Sequence, residues 1–485
     1  MTNPRDKYTV VIGLEIHAQL STESKIYAAD STQFGSDPNT NISVISLAHP
    51  GTLPLLNKKV LDYAIKMGLA CQSKITRHNI FCRKNYFYPD LPKGYQLTQD
   101  RTPICVGGTV LIRTEKGEKH VKLNRIHIEE DAGNSLHLDG QSDTFVDLNR
   151  AGVPLIEIVT EPDLDNSDEA VATMAEVRKL VRYLDICDGN MEEGSIRCDA
   201  NVSIMPKGTT KLGQKVELKN MNSIKQIKNA VEHEIDRQVG ILDRGEKVIS
   251  ETRTYDPNTG QSTGMREKEE LNDYRYFPEP DLSPVVVTNE WLDEISSQLP
   301  TLPEEYRVKF SEKYSIPEYD IGVLTEVREI AAYFDEICMQ TTNYKAASNW
   351  VMGPVKSLLN DNKISINEFP LKPKQVAELI AMIDEGKISY TSASRQLLSE
   401  WIKDTSETPL KVAEKLNLIQ ESDSDSLSKV IEEVVNKYPD KAREYNKGKK
   451  GLIGMFMGEV MKVTKGKADP KVTNQLLQEK LKLVE

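Results

Sequence analysis

The chain changes texture once, and that change limits the folds open to it. Residues 8 to about 290 read as mostly strands with a few helices, whereas residues from about 300 onward read as almost all helix. A Pro-rich stretch, Pro278 to Pro303, lies across the change. Strands first and helices afterwards indicate an α+β architecture rather than a run of βαβ units. At about 150 residues per domain, 485 residues suggest roughly three domains. The expected division is a large mixed α/β domain rich in antiparallel strands over 1–295, an all-helical domain over 296–410 and a small helical tail over 411–485.

Several function classes drop out at once. With 38% hydrophobic and 28% charged residues the chain is globular rather than disordered. No apolar run approaches the ~20 residues that span a bilayer, and Met1 to Tyr8 lacks the apolar core of a signal peptide. Six cysteines in so long a chain make no disulfide framework, so a cytoplasmic, membrane-free setting is expected. The cysteines contain no C-x-x-C pair, so no zinc is expected. P-loop, G-x-G-x-x-G, H-E-x-x-H and G-x-S-x-G motifs are all missing. The net charge is −12, yet from Lys441 to Glu485 eleven Lys/Arg face five Asp/Glu, a local +6. Any nucleic-acid contact must use such a local basic surface.

Two helices are explicit in the first region. Asn166 is a cap with Glu169 three residues on, and Val171, Met174, Val177, Leu180, Val181 and Leu184 follow at helical spacing. Ser223 to Leu242 carries Ile224, Ile227, Val231, Ile235 and Val239 on one stripe. Both stripes read as core.

The chemistry lies on polar strand faces. In Val10 to Leu20, Ile12, Leu14, Ile16 and Ala18 point one way, and Gly13, Glu15, His17 and Gln19 the other. A Glu and a His two apart on one face lie about 7 Å apart, close enough to share a ligand; an ordinary exposed face fits the pattern equally. In Lys122 to Gly133, three acids (Glu129, Glu130, Asp131) end a β-type run, and strict alternation puts Glu130 on the face of Ile126 and Ile128. Glu157 is the only polar residue of Val153 to Val159. A carboxylate there is either protonated or paired with a cation, Mg²⁺ or a basic residue such as Arg150. His17 suits Mn²⁺ or a phosphate better than Mg²⁺. If Met191–Ile204 pairs with the run around Val216 and Leu218, one face carries Arg197, Asp199, Asn201, Glu217 and Lys219. That face suits a charged substrate or a salt-bridged solvent surface. Arg83 to Gln96 adds Arg83, Lys84, Lys93 and several tyrosines to a rigid loop suited to phosphate and base stacking.

The segments GLEIHAQL (13–20), RKNYFYPDLPKGYQ (83–96), IHIEEDAG (126–133), DLNRAGVPLIEIVTEPD (147–163), MEEGSIRCDANVSI (191–204), ELKNMNS (217–223) and DYRYFPEPDL (273–282) together resemble the GatB family, the tRNA-binding subunit of the tRNA-dependent amidotransferases. The resemblance runs in order from about residue 8 to the C-terminus. It implies a heterotrimer with an amidase subunit and a third, small subunit, acting on misacylated Glu-tRNA(Gln), Asp-tRNA(Asn) or both. A chain of this family phosphorylates the side-chain carboxylate with ATP, and ammonia from glutamine displaces the phosphate to give the amide. The first domain would be the cradle that holds the kinase site, and the tail would be YqeY-like.

By motif position, the resemblance assigns metal ligands to His17, Glu130 and Glu157, with Glu15 in the same site and Asp131 outside it. The ion would be Mg²⁺, or Mn²⁺ because of the histidine. Lys84, Lys93 and Asp199 take positions along the family's ammonia channel, where such residues could relay the proton that leaves ammonium; the sequence does not say which of them is the base, and Asp199 is the one to test. Arg83, Arg197, Asn201 and Lys219 join them as substrate and phosphate groups. No Gly/Ser-rich amidase segment occurs, so glutamine hydrolysis is expected to need the partner. In the tail, Lys447, Lys449, Lys450, Lys462, Lys465 and Lys467 surround an apolar helix and suit a tRNA backbone, or simply water. Gly454 and Gly458 suggest close helix packing. The rival readings are a non-catalytic tRNA-docking scaffold and an unrelated metal-dependent phosphohydrolase.

Overall fold

The computed structural model describes residues 4–138, 140, 142–267, 274–420, 424–464, 468 and 470–482. The chain divides into two units, Met1–Leu302 and Pro303–Glu485.

The first unit is built on a 13-stranded sheet. Its opening strand β1 (Tyr8–Gln19) precedes helix α1 (Lys58–Ala70), β2 (Cys82–Asn85) and β3 (Tyr95–Thr98). Next come β4 (Gly117–Glu130), β5 (Pro154–Thr160), α2 (Ser167–Tyr183), β6 (Ile196–Pro206) and β7 (Val216–Lys219). Helix α3 (Ile224–Asp243) leads to β8 (Glu251–Asp256), β9 (Gln261–Glu267) and β10 (Phe277–Pro278). Along the sheet the order is β9-β8-β7-β6-β1-β5-β4-β3-β2-β10. Every neighbouring pair on that path is antiparallel except β7 and β8. A parallel pair cannot be joined by a tight hairpin, and α3 supplies the crossover.

The alternation read in β1 is realised. Ile12, Leu14, Ile16 and Ala18 are all within 1% of full burial, and Glu15, His17 and Gln19 turn to the other face. Ile126, Ile128, Ile156, Ile158, Ala200 and Val202 continue the apolar face onto the flanking strands. The stripes of α2 (Met174, Val177, Val181) and α3 (Ile227, Val231, Ile235) join the same core, as their spacing predicts. The Asn166 cap forms, its side chain accepting from the Glu169 amide at 2.9 Å; Ser223, read only as the start of its helix, also caps it, its hydroxyl accepting from the Gln226 amide at 3.2 Å.

The second unit is helical. Trp350, Trp401, Phe310 and Phe334 are among its largest fully buried side chains. A π-turn at Val351–Val355 contains Pro354, which has no amide proton for the helical ladder. The last helices, Ser424–Lys437, Ile453–Val463 and Pro470–Lys482, enclose their own core of Leu427, Ile431, Val434, Phe456, Val460 and Leu477. Gly454 and Gly458 do not mark close packing there: a β-carbon on either meets nothing within 4 Å. No described helix is long and apolar enough to cross a membrane.

Candidate metal centre

With one face of the sheet packed on helices, the opposite face gathers the polar residues. Strand register sets their order. His17 lies between Arg197 of β6 and Glu157 of β5, and Glu157 is itself opposite His127 of β4. Glu15 is opposite Asp199, Gly13 opposite Asn201, and Asn201 opposite Glu217. Glu129, two residues beyond His127 on the same face, is opposite Thr98 of β3.

One atom each from His17, Glu129 and Glu157 lies within 4.8 Å of the others, a His/Glu/Glu set suited to a divalent cation. His17 Nε2 is 3.2 Å from Glu157 Oε2. Glu129 accepts from the Thr98 hydroxyl at 2.8 Å and from the Gln96 amide at 3.2 Å. Around this cluster Asn201 donates to Glu15 at 2.9 Å, Lys219 pairs with Asp199 at 2.6 Å, and Arg197 pairs with Asp131 at 2.7 Å. Glu157 therefore finds a histidine rather than Arg150, which donates to the carbonyls of Ala132 and Gly133.

The charges are tightly coupled. Burial would raise the Glu129 carboxyl, but His127, Lys84 and His17 outweigh it and hold it well below the usual carboxylate range. Glu157 is likewise depressed: burial and Glu129 oppose its charge, and His17 and His127 prevail. Burial opposes the His17 cation, yet Glu157 leaves its pKa raised. Glu15 shifts upward through burial first, then through Glu157, Glu217 and Asp199. Lys84 is desolvated but keeps its proton more firmly than an ordinary lysine because Glu129 is close. A buried face with acids and cations in register can hold a cation and the anions that bind it.

The structure thus brings together Glu15, His17, Glu157, Arg197, Asp199, Asn201 and Lys219, with Lys84 close by. It separates three expected residues. Glu130 is buried on the reverse face, ion-paired with Lys93 and accepting from the Leu97 amide at 2.8 Å. Alternation along β4 is the reason, since consecutive residues face opposite ways; Glu129 takes the place expected for Glu130. Lys93 follows Glu130 to that side. Arg83 points away from the polar face and forms a two-pronged pair with Glu279 at 2.7 and 2.8 Å. Sequence reasoning missed Glu129 and His127, although Ile126 and Ile128 turned inward already imply that both turn outward.

Behind the cluster, Lys93 and Glu130 line a cavity of about 120 Å³ with Lys25, Tyr27, Tyr95 and Gly152. Lys25 is 1% exposed. In the tail, Lys447, Lys449, Lys450 and Lys462 are exposed, Lys449 near Glu444 at 3.3 Å and Lys450 over the Tyr445 ring at 4.1 Å. Lys465 and Lys467 lie outside the described residues.

The family model described as the GatB/GatE catalytic domain matches residues 10–293, the segment that holds the whole cluster. A second, described as a GatB domain, matches residues 332–481. The chain is 49% identical over 478 residues to an aspartyl/glutamyl-tRNA(Asn/Gln) amidotransferase subunit of Geobacter sp. strain M21, covering 98% of this chain and 99% of that one. It is 47% identical over 478 residues to the corresponding subunit of Geotalea uraniireducens strain Rf4, covering 98% and 99%. To that of Thermodesulfovibrio yellowstonii it is 46% identical over 476 residues, covering 98% and 100%. On full-length likeness of this order, with its acidic cluster inside the matched catalytic domain, the chain belongs to the GatB family of aspartyl/glutamyl-tRNA(Asn/Gln) amidotransferase subunits.

Proposed function

We propose that this chain is the kinase and amide-forming member of a heterotrimer, with an amidase subunit and a third, small subunit, working in the cytoplasm. Its substrates are Glu-tRNA(Gln), Asp-tRNA(Asn) or both, with ATP and ammonia. The observation that carries the reading is the His17, Glu129 and Glu157 set on one sheet face. These three would hold Mg²⁺ or Mn²⁺, with Glu15 beside them. When bound, the ion offsets negative charge on phosphate and carboxylate oxygens.

A carboxylate cannot yield an amide directly because oxide is a poor leaving group. Transfer of the terminal phosphoryl group of ATP to a carboxylate oxygen gives an acyl phosphate and ADP. Ammonia then forms the C–N bond, the C–O bond to phosphate breaks, and one proton leaves the nitrogen. Lys84, Arg197 and Lys219 place positive charge where two anions must meet. Asp199 takes the proton: Lys219 holds its Oδ2, and Oδ1 accepts no hydrogen bond among the described residues. The exposed tail lysines contact the tRNA backbone.

A docking scaffold without chemistry leaves the cost of burying these acids unexplained. A phosphohydrolase leaves the basic tail without a role. The test is ATP consumption by the purified trimer, dependent on either mischarged tRNA and on Mg²⁺. Glu129→Gln should lower it by about 10²-fold or more, whereas Glu130→Gln should leave ATP cleavage and Mn²⁺ uptake in place. Full ATP turnover by the Glu129→Gln enzyme would refute the proposal.

A further inference from the structure

His127 belongs to none of the assignments above, yet it sits in the middle of the cluster. It is 3% exposed on β4, opposite Glu157 in the register. Its Nε2 lies 3.2 Å from Glu129 Oε1 and 3.6 Å from Glu157 Oε2. Among the described residues it is the only basic side chain within ion-pair distance of both acids. Its other nitrogen, Nδ1, is buried and has no hydrogen-bond partner. An apolar residue would fill this space without stranding a polar atom. A histidine here is explained by what Nε2 does.

Glu129 and Glu157 come from different strands and have different supports. Glu129 is held by Thr98 and Gln96, whereas Glu157 is held by His17, itself a member of the ligand set. Without a further tie, nothing couples the two carboxylates to each other. Carboxylate ligands are commonly fixed by outer hydrogen bonds, and losing one such bond weakens metal affinity by about 10–100-fold. From this arrangement we infer that His127 is a positioning residue, whose Nε2, within hydrogen-bond distance of Glu129 and 3.6 Å from Glu157, holds the two carboxylates at a common spacing so that they grip one divalent cation together with His17. The inference rests on the metal reading above and adds to it the group that sets the ligand geometry.

The chemistry of the side chain makes the role separable from filling space. A glutamine amide nitrogen reaches about where Nε2 stands; an asparagine amide nitrogen reaches only to the level of Nδ1. Leucine fills similar volume and donates nothing. Mn²⁺ uptake by the purified trimer, read from the electron paramagnetic resonance of the free ion, distinguishes these. His127→Gln should bind within about threefold of wild type, and His127→Asn and His127→Leu about 10–100-fold more weakly. All are compared with metal-free melting curves. If the leucine variant does not fold, the Gln/Asn pair still decides the matter. Equal Mn²⁺ affinity across the folded variants overturns the positioning role. Failure of wild type itself to take up Mn²⁺, with His17→Ala unchanged from it, overturns the metal reading and this inference with it.

Discussion

Replacing Lys25 with methionine should make the first unit more stable at neutral pH. Lys25 is 1% exposed, its Nζ has one hydrogen bond, to the Leu148 carbonyl at 3.3 Å, and no carboxylate lies within ion-pair distance among the described residues. Burial dominates, and the more distant charges of Asp30, Glu130 and Asp147 recover only part of the loss, so the pKa falls from 10.5 to about 8. At about 1.4 kcal/mol per tenfold, holding that ammonium in the fold costs about 3 kcal/mol. Methionine keeps a long apolar stem and removes the charge, but strands the Leu148 carbonyl at roughly 1 kcal/mol. The net gain is about 2 kcal/mol at pH 7.

The pH dependence fixes the cause. Below pH 8 folded and unfolded chains both carry the proton, so the cost is present in full. Between about 8 and 10.5 the folded chain gives up its proton first, the unfolded state holds more protons, and stability rises with pH. Above that window the two proteins should converge or reverse. Urea unfolding at pH 7 and pH 10, with circular dichroism at two wavelengths separating the strand-rich unit from the helical one, measures this. With a slope of about 3 kcal/mol/M, the midpoint should move up by roughly 0.7 M at pH 7. A methionine variant less stable than wild type at pH 7, or an advantage unchanged at pH 10, would refute the reasoning.

Two further outcomes follow from the geometry. Gly68→Ala should lower stability by about 1–3 kcal/mol, because a β-carbon there collides with Cys105 Sγ and comes within 2.8 Å of Ile75 Cδ1; an unshifted melting temperature would show that the α1 contact gives way without cost. Replacing Lys447, Lys449, Lys450 or Lys462 with alanine should each weaken tRNA binding and flatten the plot of log K against log salt by up to about 0.9. Binding curves at several salt concentrations check this, and an unaltered slope would remove that lysine from the interface.

Much of the site is legible in the sequence because a strand has a period of two. The polar series Glu15, His17, Gln19 and the series Arg197, Asp199, Asn201 declare their faces without a structure. The helices of Met174 and Val231 are legible for the parallel reason at a period of 3.6. Two things are harder. Which strand neighbours which depends on contacts far apart in sequence, so the meeting of His17 with Glu157 can be suspected but not read. The acids at 129 and 130 are a different case. Alternation from Ile126 and Ile128 already turns Glu129 toward the polar face, but motif position favours Glu130, and the structure follows alternation. Arg83 escapes prediction because its partner, Glu279, lies 196 residues on.

Two adjacent acids of β4 serve two separate compartments, with only main chain between them. A deletion or insertion of one residue between Arg125 and Glu130 would exchange their destinations: the acid meant for the cation would enter the cavity, and its neighbour would take the opposite post. Side chains along this stretch can be exchanged one at a time, but its spacing cannot change without undoing both compartments together. Length, rather than composition, is the tighter physical constraint on this part of the chain.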